Sequence, residues 1–350
     1  MQKLFIICNE AVYENNNKYF CDNLDFKSTP EGLNKSFEVN LIARKSSTER
    51  AHNINVKNIK IFGSLLSFIS AIISSAKNKD SKYLLISISP YTFLACILLK
   101  LFGKTPIVYL RSDGHEEYKA ILGFIGPAFY YLMFSISSSI SKLISCRNYI
   151  LKGRKGEVVS PSQLDSEWLS NIKETNIESL KLLYVGRIKV EKGIFSLLKL
   201  IKGKNDISLT IVGAENNMTN NINQSNVVVR QIENNKTNLI NIYDDHSVFV
   251  LPSFTEGHPM ALLEALARRR PVVIFEEIKH VIGDKKGIFV SKRNYESFLE
   301  TINYIKNNYQ KIQEEMKQNR LPTKKQFINE VEVSMASYVR ETKVIYPDAV

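Results

Sequence analysis

At 350 residues, with 44% apolar and 23% charged side chains, the chain can build two domains of ordinary size and is not disordered throughout. Its net charge of +12 is concentrated early, with 21 basic and 13 acidic residues between positions 1 and 165. Nucleic acid, an anionic membrane surface or phosphorylated substrates would each suit such an excess, but no nucleic-acid module is visible, and four scattered cysteines without C-x-x-C spacing argue against a metal knuckle and fit a reducing compartment.

The first apolar run, Lys3–Cys8, reads as a buried strand and is too short for a signal peptide. Glu10 to Lys35 is polar and reads as a long loop. Phe37–Ala43 is strand-like. Leu65–Ala76 is an apolar helix with Ser64 placed to cap it. Tyr83 to Phe102 approaches the length of a membrane span, but Pro90 divides it. Strand, turn and helix is therefore the preferred reading over a true span. Pro106–Leu110 is another strand. Strands alternating with helices imply a parallel, doubly wound sheet, whose ligands sit beyond the carboxyl ends of the strands. Arg111–Tyr118, RSDGHEEY, lies at such an end. There Asp113 or His115 could orient or deprotonate a hydroxyl; an Asp-Gly turn beside an exposed His is the alternative. Gly123–Lys142 is apolar and aromatic. It reads as a core helix or as a face that docks on lipid, with Lys142, Arg147, Lys152, Arg154 and Lys155 as a cationic rim.

A boundary falls near 160–178. The second half opens with Leu182–Val185, a strand, then the turn Gly186-Arg187, and Lys192-Gly193 leading into a helix. Arg187 can grip phosphate with two donors while Lys192 acts as a point charge; ordinary surface charge is the alternative. Leu209–Gly213 and Val227–Val229 are strands, with a loop over Arg230–Glu233, and Thr237–Tyr243 is a helix. Asp244 and Asp245 read as surface residues. Val248–Leu251 is a buried strand. Pro259 suits a first helical position, Met260–Leu266 is strongly helix-forming, and Arg268–Arg270 place positive charge at the negative end of the helix. The free N–H groups at the helix start make an anion site, and Gly257 lets a ligand approach the backbone. Glu256 and Glu264 could grip two parts of an elongated ligand, or be a surface acid and a helix residue. Pro271–Ile274 and Ile288–Val290 are further strands. Helices are expected over about 293–318 and 324–342.

EGHPMALLEALA, with Glu256 and Glu264 at its acidic positions, resembles the E-x7-E signature of the retaining glycosyltransferases called glycosyl transferases group 1. LLYVGRIKVEKG, Leu182–Gly193, resembles the same family's G-R-x4-K-G element. The resemblance covers residues about 180–300 and implies the GT-B fold, an α/β architecture of two Rossmann-like doubly wound domains facing a central cleft. It implies an acceptor-binding domain over 1–165, a nucleotide-sugar-binding domain over 166–325, and a terminal helix over 326–350 that returns to the first, with Tyr338, Val339 and Val344 as candidate contacts. The implied donor site is Gly186, Arg187, Lys192, Gln231, Glu256, Gly257, His258, Pro259, Met260, Ala261 and Glu264. Glu256 would stabilise positive character at the anomeric carbon, Glu264 would accept from ribose hydroxyls, and no metal or other cofactor is expected. Relatives carry a glycine pair after the first strand where this chain has Asn9-Glu10-Ala11, and often a His after the strand that ends at Leu110. The implied activity is retaining transfer from a nucleotide diphosphate sugar to a glycan or lipid-linked acceptor in surface polysaccharide (capsule or lipopolysaccharide) synthesis. It would take place in the cytoplasm or peripherally at the inner face of an anionic membrane, with no nucleic-acid partner. A nucleotide-sugar epimerase or phosphorylase on the same fold, and a non-catalytic membrane scaffold, are the alternatives.

Overall fold

The computed structural model describes residues 1–340, with side chains to 336 other than those of 25 and 120, apart from 176, 178, 179, 205, 206, 215–221 and 223. The contact expected of Tyr338, Val339 and Val344 lies outside the described residues. The chain forms two compact units, 1–163 with 323–350, and 164–322.

The first unit begins with β1 (Lys3–Asn15) and β2 (Lys18–Cys21). Asn16 and Asn17 join them with φ of 49° and 59°. Asparagine tolerates this left-handed region, and two such residues match the twist of a hairpin. The polar stretch after Glu10 is therefore a hairpin and then α1 (Leu24–Leu33), not a long loop. Next come β3 (Glu38–Lys45), β4 (His52–Asn53), β5 (Asn58–Phe62), α2 (Leu65–Ala76), β6 (Lys82–Ile86) and α3 (Pro90–Leu101). Ser64 and Ser89 close capping boxes on α2 and α3, with Pro90 in the first helical turn. Then follow β7 (Ile107–Leu110), α4 (Gly114–Leu122), α5 (Gly126–Ile140), β8 (Lys142–Ser145) and β9 (Glu157–Val158). The parallel sheet runs β5-β3-β1-β6-β7-β8-β9, and β2 and β4 extend it antiparallel from the far half of β1. Among the described residues, no helix is long and apolar enough to cross a membrane.

The second unit contains α6 (Ser166–Leu169), β10 (Lys181–Val185), α7 (Ile194–Leu200), β11 (Ser208–Ala214), β12 (Val227–Gln231) and α8 (Lys236–Asp244). It continues with β13 (Val248–Leu251), α9 (Met260–Ala267), β14 (Val272–Phe275), β15 (Ile288–Ser291), α10 (Tyr295–Asn307) and α11 (Tyr309–Met316). The single helix expected over 293–318 is broken at Asn308. Among the described residues the second unit's six strands are all parallel, in the order β12-β11-β10-β13-β14-β15. The order reverses between β10 and β13, so the crevice beyond their carboxyl ends is where such a sheet binds its ligand. β13 and β14 are buried throughout, as apolar runs covered by helices on both faces must be. The last helix, α12 (Lys324–Arg340), belongs to the first unit, where it buries Phe327, Val331 and Met335 against β-strand residues such as Leu4 and Tyr109.

The surface reading of Asp244 is reversed at the far end of α9, whereas Asp245 is exposed as expected. Arg268 and Arg270 are each 1% exposed. Asp244 is buried beside them and accepts from Arg268 Nε at 2.9 Å and Arg268 Nη2 at 2.7 Å. Arg268 also donates to the carbonyls of Trp168, Ser170 and Asn171, and Arg270 to those of Tyr243, Asp244 and Lys173. A buried charge is tolerable only when paired and hydrogen-bonded, and this cluster meets both conditions by stapling the start of the unit to α8 and α9. Arg268→Ala should lower the unfolding free energy by about 3–5 kcal/mol by leaving Asp244 buried with less pairing; urea denaturation monitored by Trp168 fluorescence checks this.

His246 adds a pH-dependent term. Its Nδ1 donates to the Ile242 carbonyl at 2.6 Å, so Nε2 accepts from Thr210 Oγ1 at 2.7 Å. Burial holds its pKa below the ordinary 6.5. The folded state therefore prefers the neutral ring, and its contribution is full above the unfolded-state pKa and lost as pH falls below it. The melting temperature should fall between pH 7 and pH 5.5, and His246→Asn should flatten that slope.

Candidate donor site

Two loops meet beyond the carboxyl ends of β10 and β13. The first, Gly186–Gly193, leaves β10 at Gly186 and closes with a 3-10 turn at Val190–Lys192. Tyr184 is buried, and its hydroxyl donates to the Arg187 carbonyl at 2.8 Å. Burial, then the nearby charge of Glu256, raises its pKa, so it stays a donor. The Arg187 side chain is exposed, and among the described residues it has no bonded partner.

Gly193 is where the loops touch. Its φ is +67°, and a Cβ there would stand 1.8 Å from the Pro252 carbonyl oxygen. Only a bare Cα allows the turn and the approach together. Phe254 N donates to the Glu191 carbonyl at 3.0 Å and holds the same seam. Across it, Lys192 Nζ donates to Glu256 Oε1 at 2.7 Å, and Ser253 Oγ donates to the same oxygen at 2.6 Å. Both side chains of the ion pair are less than a quarter exposed.

Glu256, Gly257 and His258 lead half-buried into α9. Pro259 proves to be the residue before the helix, and Met260 the first within it. Pro259 supplies no side-chain cap, so among the described residues the first N–H groups are open to a ligand or solvent. Met260 and Ala261 are half-buried in that first turn. Glu264 lies one turn further, where Oε2 accepts from the Tyr243 hydroxyl at 2.8 Å. Tyr243 is fully buried; burial, then the Glu264 carboxylate, raises its pKa well above the ordinary range. A neutral tyrosine thus fixes one oxygen of Glu264 from behind. Gln231, placed by sequence in a loop, is instead the exposed last residue of β12, an edge strand.

Two supports were not legible in the sequence. Arg293, just past β15, donates to the Pro252 carbonyl at 2.9 Å and to Glu277 at 2.7 Å, and lies over the rings of Phe254 and Phe275 at 4.2 and 4.3 Å. That hydrogen bond holds the Glu277 carboxyl below its usual pKa. His280 Nε2 donates to the Glu256 carbonyl at 2.7 Å. Nothing in SKRNYES or EIKHV marks either residue; only their place at the same carboxyl edge does.

In the first unit, Asp113 caps α4, accepting from His115 N at 3.1 Å and from Lys152 Nζ at 2.6 Å. His115 is half-buried, packs edge-on to Tyr130 at 4.7 Å and approaches Asp113 through Nδ1 at 3.3 Å. A small cavity at this edge is lined by Ser87, Arg111, Ser112, Gly114, Glu117 and Tyr130, not by Asp113 or His115.

Residues 167–321 match the family described as Glycosyl transferases group 1. The match spans most of the second unit. All the donor-side residues above fall within the match. Over 123 residues the chain is 28% identical to the putative teichuronic acid biosynthesis glycosyltransferase TuaC of Bacillus subtilis strain 168, covering 34% of this chain and 31% of that protein. The chain thus spans about a third of that relative's length. In fold it is similar to sucrose-phosphate synthase from Thermosynechococcus elongatus (TM-score 0.65, 13% identity, 98% of each chain). It is likewise similar to the lipopolysaccharide outer core galactosyltransferase WaaB (TM-score 0.64, 13% identity, 96% of this chain and 100% of that one). With two parallel-sheet α/β units, the fold is GT-B.

Gly193→Ala should strain the turn and push the two loops apart, destabilising the chain by roughly 1–3 kcal/mol. Melting temperature with and without nucleotide diphosphate checks this: wild-type stability and an unchanged ligand shift would contradict the close contact.

Proposed function

We propose that this protein transfers a sugar from a nucleotide diphosphate sugar to a hydroxyl of a glycan or lipid-linked acceptor, with retention at the anomeric carbon. The observation that carries the reading is the Lys192–Glu256 pair, set between an uncapped helix start and the exposed Arg187 at the switch point of a parallel sheet. The departing group is a nucleoside diphosphate, whose developing charge is the main barrier to lower. Arg187 has a planar fork for phosphate oxygens, Lys192 supplies a compact charge, and the N–H groups of Met260 and Ala261 add the helix field. In this reading those groups supply the positive charge without a metal or other cofactor.

Glu256 is held by Lys192 and Ser253 through Oε1. Held there, it hydrogen-bonds the donor sugar and stabilises positive character at the anomeric carbon. Glu264, steadied by Tyr243, accepts from the ribose. Gly257 and His258 shape the approach, and Gln231 borders the base side. The acceptor enters on the first unit, where Asp113 or His115 orients its hydroxyl. The excess of basic residues there suits an acidic or lipid-carried glycan, made at the cytoplasmic face. The similarity to TuaC over about a third of the chain and the fold shared with WaaB favour a role in bacterial surface polysaccharide synthesis.

A thermal-shift panel of nucleotide sugars, followed by turnover with the stabilising donor, tests the proposal. Glu256→Ala should reduce turnover by roughly 100-fold or more while nucleotide affinity stays within a few-fold. Arg187→Ala should weaken nucleotide binding by about tenfold, the loss of one charge-assisted contact. If no nucleotide sugar stabilises the protein, or if Glu256→Ala loses binding and turnover together, the assignment fails.

A further inference from the structure

We infer that the outer face of the α4–α5 hairpin is a docking surface for an anionic lipid bilayer. The hairpin's inner side is already satisfied. Tyr130 is buried against Tyr118 and His115, with ring centroids 5.3 and 4.7 Å apart. The two helices meet so closely that a Cβ on Gly126 would fall 1.9 Å from the Tyr118 carbonyl oxygen, and one on Gly114 would meet the Tyr130 ring at 2.1 Å. At the hairpin tip and along α5 the outer side is apolar and covered by nothing among the described residues, while α4 also exposes Glu116, Glu117 and Lys119. Ile125, Phe129, Leu132 and Ile136 recur at helical spacing along one stripe, all exposed. Ile121 and Phe124 lead into it and are 71% and 93% exposed. A soluble surface scatters single apolar residues; a continuous run of this size marks a contact.

Charge selects the occupant. From Asp113 to Lys155 there are six basic and three acidic residues, and Asp113 is already paired with Lys152. That pairing seats the loop carrying Lys152, Arg154 and Lys155, all exposed, beside the start of α4. An apolar stripe edged by cations suits a helix lying in the headgroup region, its apolar face in the acyl boundary and its cations on anionic lipid. A second copy suits it less well, because a two-fold contact would set the same cations against each other. The hairpin leaves the carboxyl end of β7, the edge that holds the cavity lined by Arg111 and Ser112. Docking would therefore bring that cavity to headgroup level, where a lipid-carried acceptor is presented. The surface does not depend on the donor reading: vesicle binding is measured without any nucleotide sugar.

Sedimentation of the full chain with vesicles of phosphatidylcholine and phosphatidylglycerol tests it. Wild type should pellet with anionic vesicles at low salt, be released as salt rises, and pellet poorly with phosphatidylcholine alone. Phe124→Glu with Leu132→Glu should cut partitioning roughly tenfold or more, with an unchanged melting temperature showing that the variant folds. Arg154→Glu with Lys155→Glu should weaken the low-salt binding and its salt dependence. Protein that stays in the supernatant at low salt, or a Phe124→Glu/Leu132→Glu variant that binds like wild type, overturns the proposal. A dimer in size-exclusion chromatography that this variant splits also overturns it, by assigning the face to a second copy.

Discussion

The candidate donor site depends on a missing side chain. Gly193 lets the backbone of one loop lie against the Pro252 carbonyl of another, and everything chemical is arranged around that seam. Lys192 stands one residue before it, Ser253 one residue after Pro252, and Glu256 three further on. The ion pair is therefore a consequence of backbone proximity, not its cause. Arg293 closes the arrangement from a third strand by binding the same carbonyl and lying over Phe254. Three strand ends thus converge on one peptide group.

Much of the fold could be read from local rules, because local rules decide it. Ser64 announces its helix, Pro90 separates a strand from a helix, and the buried strands of the second unit are continuous apolar runs. The failures have physical reasons. Asn16-Asn17 looks like polar filler, yet two asparagines can turn a hairpin that would strain other residues. Asp244, Arg268 and Arg270 look like surface charge because each alone belongs there. Only together, with six carbonyls, can they be buried, and that sum is made in three dimensions.

The proximity of the candidate donor residues could be read for a related reason. Arg187, Lys192, Glu256 and Glu264 fall in two short segments, each of one strand, loop and helix, so spacing along the chain carries their geometry. Arg293 and His280 act through backbone carbonyls that any residue could supply, so no pattern of residue types reveals them. On the first unit, the segment after β7 offers Asp113 and His115, but one serves as a helix cap and the other packs on an aromatic cluster. The residue types alone could not separate those duties from chemistry.

The two ends of α9 are treated in opposite ways. Its start is uncapped and open, while its far end is anchored by the arginine cluster to the carbonyls of residues 168–173. A short helix clamped at one end behaves as a cantilever. Its free end can respond to a ligand by tilting a little, but it cannot slide along its axis. The segment that opens the unit thereby acts as the fixed wall, and the stiffness of the open start is set by peptide groups that never approach it.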